Sequence, residues 1–302
     1  MATINKNYDN LKASYLFSEI AKRTREFQQK YPDVQVLRLG IGNTTEALTP
    51  SVIKGLKLGV EKLAIISTYT GYGDEQGDSR LRQSISDFYK NRKMNIDSLE
   101  IFINDGAKPD TANIQSIFSL ENVVAVSDPV YPVYVDTNII AGRKIVYMPC
   151  TKENNFTPDV PKSKTDLIYI CSPNNPTGAV ISRKKLTEFV KYAQKFKAVI
   201  IFDAAYSEYV SDKKLPKSIY DIAGAKKCAI EINIFSKTAG FTGVRLGWTV
   251  VPFDLISEDP KRGKINSLWN RRQTTMFNGA SNIVQEGGLA VLSKQGQKEC
   301  RK

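Results

Sequence analysis

The sequence predicts an α/β protein built on a mostly parallel sheet with helices on both faces. Three observations predict it. Helical and strand-like segments alternate along the chain. Some strand-like segments, such as "VVAVSD" and "AVIIFD", are apolar runs suited to burial on both faces. Asp105, Asp128, Asn175, Asp203 and Lys237 stand where such runs end. Ligands of open α/β sheets sit beyond the carboxyl ends of the strands, so this placement argues for one shared site.

The elements follow in order. "DSRLRQSISDFYKNR" is a helical pattern opened by Asp78 and Ser79. "EIFIND" is a short strand, "PDTANIQSIFSL" a helix and "VVAVSD" a buried strand. "YPVYVDTNIIAG" reads as a helix ending near Gly142. "KIVYMPC" and "DLIYICS" are strands, and "SRKKLTEFVKYAQKF" is a helix capped by Ser182. "AVIIFDAAY", "CAIEINIFS" and "RLGWTVV" complete the strands. "SEDPKRGKINS", residues 257–267, reads as a polar surface loop, and "SNIVQEGGLAVLS" as a closing helix. There is no internal repeat and no low-complexity linker.

Composition narrows the chemistry. The 302 residues can bury a sizeable core, and the apolar content of 41% is that of an ordinary globular protein. The net charge of +12 reads as a solvated surface, because no compact basic block accompanies it. An anionic small molecule is compatible with it; nucleic acid is not expected, nor a membrane, since no run is long enough to span one. Histidine is absent, which removes Ser-His and Cys-His catalysis and most zinc sites. Proton transfer falls to Lys, Tyr, Asp, Glu or Cys. Cys150, Cys171, Cys228 and Cys300 show no CxxC spacing, and the N-terminus lacks the apolar core of a signal peptide. Free thiols in a reducing cytoplasm are the expectation.

Four segments carry candidate chemistry. "NDGAKPD", 104–110, runs from a strand through Gly106, Ala107 and Lys108 into a helix, where backbone N–H groups could meet an anion. A capped turn would look the same. "TAGFTGVRLG" is a second small-residue loop with Arg245 at its end, and the two could hold one phosphate. "SPNNPTG" places Asn175 in a rigid turn, or presents its amide to a ligand. "FDAAY" ends an apolar strand on Asp203, a carboxylate that needs a partner if buried, with Tyr206 three residues on. Added to Lys237, this set meets the demands of pyridoxal phosphate: an amine for its carbonyl, an acid for its pyridine nitrogen, a cup for its phosphate.

At these residues the chain resembles the fold-type I pyridoxal-phosphate aminotransferases, and more narrowly the LL-diaminopimelate aminotransferase family. "NNPTG" and "SKTAGFTGVR" are generic to the superfamily. "KASYLFSEIAKR", "DPVYPVYVDTN" and "RRQTTMFNGAS" are narrower, and the likeness runs from about Asn7 to Leu292. The resemblance implies that Lys237 carries the cofactor and shuttles the proton. It implies Asp203 at the ring nitrogen, Asn175 and Tyr206 at the phenolic oxygen, and Tyr131 against the ring. Ala107, Lys108, Ser236 and Arg245 would hold the phosphate. Tyr72 and Asn278 would serve a site shared across a homodimer. Tyr15, Gly42, Glu75, Lys108, Tyr131, Asn175 and Asn278 would meet the substrate, with Glu75 recognising its distal ammonium. No metal is implied. The reaction would be amino exchange between LL-2,6-diaminopimelate and 2-oxoglutarate.

Two departures from the family pattern stand out. Ile234 occupies a position, three before the lysine, where the family usually has a hydroxyl; one phosphate hydrogen bond is then missing, about 1 kcal/mol or somewhat more. The family also continues into a C-terminal small domain that supplies the arginine for the substrate α-carboxylate, whereas this sequence ends at "VLSKQGQKECRK". The expected organisation is an N-terminal arm and small-domain part over 1–46, a cofactor-binding large domain over 47–292 and a polar tail over 293–302. The competing expectations are a shortened relative that binds cofactor with little or no turnover, and another fold-type I aminotransferase with a different amino donor. A DNA-binding regulator is disfavoured, since nothing before the catalytic body reads as a helix-turn-helix domain.

Overall fold

The computed structural model describes residues 1–11, 16–37 and 42–301. Its centre is a seven-stranded sheet. The strands are β1 (Ile101–Asn104), β2 (Val124–Asp128), β3 (Ile145–Pro149), β4 (Leu167–Cys171), β5 (Val199–Asp203), β6 (Ala229–Ile234) and β7 (Gly247–Val250), in the spatial order β1-β7-β6-β5-β4-β2-β3. β2, β3, β4, β5 and β6 pair in parallel, while β7 runs antiparallel to both β6 and β1. Every residue of β4, β5 and β6 is buried, which is why their sequences are near-continuous apolar runs. β3 lies at an edge, is only partly buried, and ends on Pro149, where no ladder donor is needed.

Helices cover both faces. They are α1 (Leu16–Lys30), α2 (Pro50–Leu63), α3 (Ser79–Lys90), α4 (Ala107–Asn113), α5 (Pro132–Ile140), α6 (Arg183–Phe196), α7 (Phe235–Thr238), α8 (Lys264–Met276), α9 (Asn282–Leu292) and α10 (Lys294–Cys300). On one face Tyr134 of α5, Ala107 of α4 and Trp269 of α8 join a core with Val126, Tyr169, Ile201 and Ile232. On the other, Leu186, Phe189 and Ala193 of α6 pack on Ile168, Ile200 and Phe202. Each buried Val, Leu, Ile or Phe side chain among these contributes roughly 1.5–3 kcal/mol. Ser182 does cap α6, accepting from the Lys185 N–H at 3.3 Å. α3, α9 and β1 with β7 form a third cluster around Leu81, Ile103, Trp248 and Val291.

The sheet and the expected helices are as the sequence predicts, with differences: α1 and α10 were not expected, the strand "CAIEINIFS" ends at Ile234 where α7 follows, and three more differences stand out. Residues 264–267 are not loop: they open α8 after Gly263, because Ile265 and Trp269, one turn apart, both bury. The helix expected from Pro109 begins at Ala107 and passes into a 3₁₀ turn at Ile114–Ile117. α2 was not anticipated. It packs closely on α9, and a Cβ at Gly55 would fall 2.6 Å from the Ala290 Cβ and 2.8 Å from the Glu286 carbonyl. α10 is tied to α2, with Glu299 accepting from both the Ser51 N–H and its Oγ at 2.9 Å.

Candidate active site

The ends of two adjacent strands, β5 and β6, and of β1 beyond β7 build the site. β5 ends on Asp203, β6 leads straight into α7 with Ser236 and Lys237, and β1 leads through Gly106 into α4. The Lys237 Nζ donates to the Gly42 carbonyl and lies 5.5 Å from the Tyr206 ring centroid. Burial, then the charge of Arg245, holds this amine below its ordinary pKa. That favours the neutral, nucleophilic form. The Lys237 carbonyl is held by the Tyr209 hydroxyl at 3.1 Å.

Asp203 is buried on the same sheet face as Val199 and Ile201. Its carboxylate accepts from the Tyr134 hydroxyl at 2.5 Å and the Ala205 N–H at 2.9 Å. Burial raises its pKa, and these two hydrogen bonds oppose the rise. No cation lies within ion-pair distance among the described residues. A protonated ring nitrogen is the kind of partner this carboxylate lacks. Tyr206, half-buried nearby, has its hydroxyl pushed up to about 12 by burial and then by Cys171 and Asp203. Cys171 is the register partner of Asp203 across β4 and β5.

At the other end, a Cβ on Gly106 would overlap the Arg245 guanidinium. Gly106 adopts φ +126° and ψ 160°, a region essentially confined to glycine. The guanidinium therefore packs directly on the backbone that opens α4, with the Ser236 Oγ 3.5 Å from its Nη1. Helix-opening amides, a hydroxyl and a planar cation together suit a phosphate. Ala107 is buried and Lys108 exposed at this turn. Ile234 is buried in the core, so its apolar side chain contributes packing at the position where the family has a hydroxyl.

Around this centre, Tyr131 meets Tyr134 edge-on at 5.8 Å. Asn175 is partly buried in the turn after β4. Gly42 does reach Lys237, as described. Tyr72 and Asn278 are exposed and belong to a different group of loops. There Asn282 donates to Thr70 Oγ1 at 2.9 Å and to the Gly71 carbonyl at 3.1 Å, and Gly279 faces Asp74 and Glu75. No hydrogen bond or ion pair among the described residues joins Tyr72, Glu75 or Asn278 to Lys237. Tyr15 lies outside the described residues. Of the other strand-end acids, Asp128 is exposed and Asp105 only half-buried. Sequence reasoning missed Tyr134; its position one helical turn after Tyr131 was the available signal.

The residues present are of a kind that could hold pyridoxal phosphate: an amine at Lys237, a buried carboxylate at Asp203, and a guanidinium and hydroxyl at Arg245 and Ser236. The sequence profile of "Aminotransferase class I and II" matches residues 34–301. The LL-diaminopimelate aminotransferase of Desulfotalea psychrophila is 50% identical, over 100% of this chain and 77% of that protein. That of Lachnospira eligens is also 50% identical, over 99% and 76%. The solved L,L-diaminopimelate aminotransferase from Chlamydomonas reinhardtii superposes with a TM-score of 0.92 at 46% identity, covering 99% of this chain and 75% of that one. The chain thus spans about three quarters of these relatives' lengths. With nearly all of it matched, the chain belongs to the class I and II aminotransferases.

Proposed function

We propose that the chain is a pyridoxal-phosphate-dependent transaminase that exchanges the amino group between LL-2,6-diaminopimelate and 2-oxoglutarate. The products are tetrahydrodipicolinate and glutamate, a step of lysine and diaminopimelate biosynthesis. The observation that carries the reading is 50% identity to two LL-diaminopimelate aminotransferases over essentially the whole chain.

The bound cofactor supplies an electron-withdrawing pyridine ring that accepts the electron pair released when the Cα–H bond breaks. The chain's residues do the rest. Lys237 would hold the cofactor carbonyl, and its amine would carry the proton to and from the substrate Cα. Its depressed pKa suits it to act as a base. Asp203 keeps the ring nitrogen protonated, and its two hydrogen bonds hold it in the acceptor form. Asn175 and Tyr206 bind the phenolic oxygen, and Tyr131 bounds one ring face. Ala107, Lys108, Ser236 and Arg245 hold the phosphate.

Gly42, Lys108, Tyr131 and Asn175 line the substrate side, with Tyr15 from the N-terminal arm. Glu75 meets the distal ammonium. Tyr72 and Asn278 serve the site of a second copy in a homodimer, a reading supported by their exposure. We read 47–292 as the cofactor-binding domain, flanked by the arm and the C-terminal segment. A cytoplasmic location is supported by the four free cysteines. Among the described residues no helix is long and apolar enough to cross a membrane.

The test is chemical. Borohydride reduction of the cofactor-loaded protein should fix the label on Lys237, located by peptide mapping. Single-turnover conversion should favour LL-diaminopimelate over other amino acids. Lys237→Ala should abolish conversion. A label on another lysine, or no preference for LL-diaminopimelate, would overturn the reading.

A further inference from the structure

Asp110 lies in α4, one turn from Gly106, and none of the steps above uses it. It is 2% exposed. Its Oδ2 accepts from the Asn104 Nδ2 at 2.7 Å and from the Thr249 Oγ1 at 2.5 Å. Asn104, only 1% exposed, ends β1. Its Oδ1 accepts from the Gly106 N–H at 3.0 Å.

The chemistry of the amide makes this a directed chain. A side-chain amide has one accepting and one donating end. An ionised carboxylate only accepts, so Asp110 takes the donating end of Asn104. The accepting end is thereby turned to Gly106. Thr249 fixes the carboxylate from β7 and also receives the Asn104 amide at 3.2 Å. The residue held at the end of the chain is the glycine whose missing Cβ makes room for Arg245. Burial raises the Asp110 pKa to about 6, with the two donors and the charge of Arg272 opposing. Above that value the carboxylate is in the accepting form.

We propose that Asp110 is a positioning residue for the phosphate end of the site, acting through Asn104 to hold the Gly106 backbone against Arg245. This rests on the cofactor reading given above. A relay of this kind acts on the phosphate and not on the ring. A purely structural tie between β1 and β7 would affect both alike.

The test compares two probes on the cofactor-free protein: pyridoxal phosphate and pyridoxal, which lacks the phosphate. Dissociation constants are measured by absorbance titration for wild type, Asn104→Ala, Asp110→Asn and Thr249→Val. Asn104→Ala should weaken pyridoxal phosphate about tenfold and leave pyridoxal within about twofold, the scale of one hydrogen bond to a backbone that positions a charge. Asp110→Asn should shift the same ratio by roughly threefold to tenfold, since its amide can present a donor where Asn104 needs an acceptor. Thr249→Val should move it in the same direction by less. If Asn104→Ala does not fold, the two shape-conserving variants give the same ratio. Equal weakening of both probes, or an unchanged ratio, would overturn the proposal. A wild-type protein that binds pyridoxal phosphate no more tightly than pyridoxal would instead sink the cofactor reading, and the relay with it.

Discussion

Asp203 and Glu231 sit on adjacent strands, one residue out of register, on opposite faces of the sheet. Phe202 pairs with Glu231, and Asp203 with Ile232. Both carboxyls are buried, both accept from a tyrosine and a backbone N–H, and burial pushes both upward in pKa. Their surroundings then diverge. Glu231 accepts from Tyr89 at 2.6 Å, Ser218 at 2.5 Å and the Ile219 N–H at 3.0 Å, deep among α3, β7 and the 218–221 turn. Tyr89 is in turn held by the Trp248 indole at 3.0 Å. Among the described residues Asp203 has two donors, and it stands at a strand end, beside the loops that carry Lys237. A carboxyl in mid-strand with its hydrogen bonds complete is architecture. The same group at a strand end, one donor poorer among the described residues, keeps acceptor capacity for one more partner.

Substitution should separate the two. If Asp203 pairs with the ring nitrogen as proposed, Asp203→Asn would remove that ionic partner while keeping shape. We expect kcat to fall by about 10²–10³, the scale of losing one preorganised electrostatic contact. The melting temperature should change little. An unaltered kcat would erase the distinction drawn here.

Tyr134→Phe probes the same carboxyl more gently. Removing a hydrogen bond to a charged group should lower kcat roughly tenfold. Tyr134 lowers the Asp203 pKa. Its loss should therefore move the acid limb of the pH–rate profile to higher pH. A limb that stays in place would mean that Tyr134 serves only to pack against Tyr169, with which it stacks at 4.9 Å.

Glu231→Gln should have the smallest effect on turnover, with kcat within about twofold, as for sites remote from the chemistry. Its effect belongs to stability. In the folded protein burial raises the Glu231 pKa from 4.5 to about 7. Between those values the folded state keeps a proton that the unfolded state has lost. Its contribution is full below about 4.5 and is lost as pH rises through about 7. The slope is at most about 1.4 kcal/mol per pH unit. Thermal melts from pH 5 to 8 should show the wild type losing stability relative to Glu231→Gln as pH rises. Parallel curves would refute the assignment.

How much of this was legible in the sequence follows the range of the forces involved. β4, β5 and β6 read correctly because burial on both faces writes itself into every residue. α6 announced itself with Ser182. α2 did not, because Gly55 and Gly59 lower helix propensity, and their value lies in close approach to α9, more than two hundred residues away. α8 was obscured by the polar members of its buried stripe, Asn266 and Gln273. Lys237 and Asp203 drew notice because strand ends are where ligands gather, and Arg245 because it closes a small-residue loop. The Tyr134–Asp203 bond spans 69 residues and the Asp110–Thr249 bond 139, and neither leaves a local trace.

The direction of β7 was equally silent, and it carries a consequence. In a sheet otherwise parallel, a reversed strand brings its beginning, not its end, to the rim where the other strands finish. Ile234, Gly247 and Asn104 are side by side there. β6, α7 and β7 thus form one hairpin whose bend carries both Lys237 and Arg245. In the proposed reading, the amine for the carbonyl and the guanidinium for the phosphate would be two marks on a single ruler, clamped at both ends by the β6–β7 ladder. The contour of residues 238–244 sets the spacing of these two groups, so adding or removing one residue there would shift one against the other while leaving the β6–β7 ladder in register.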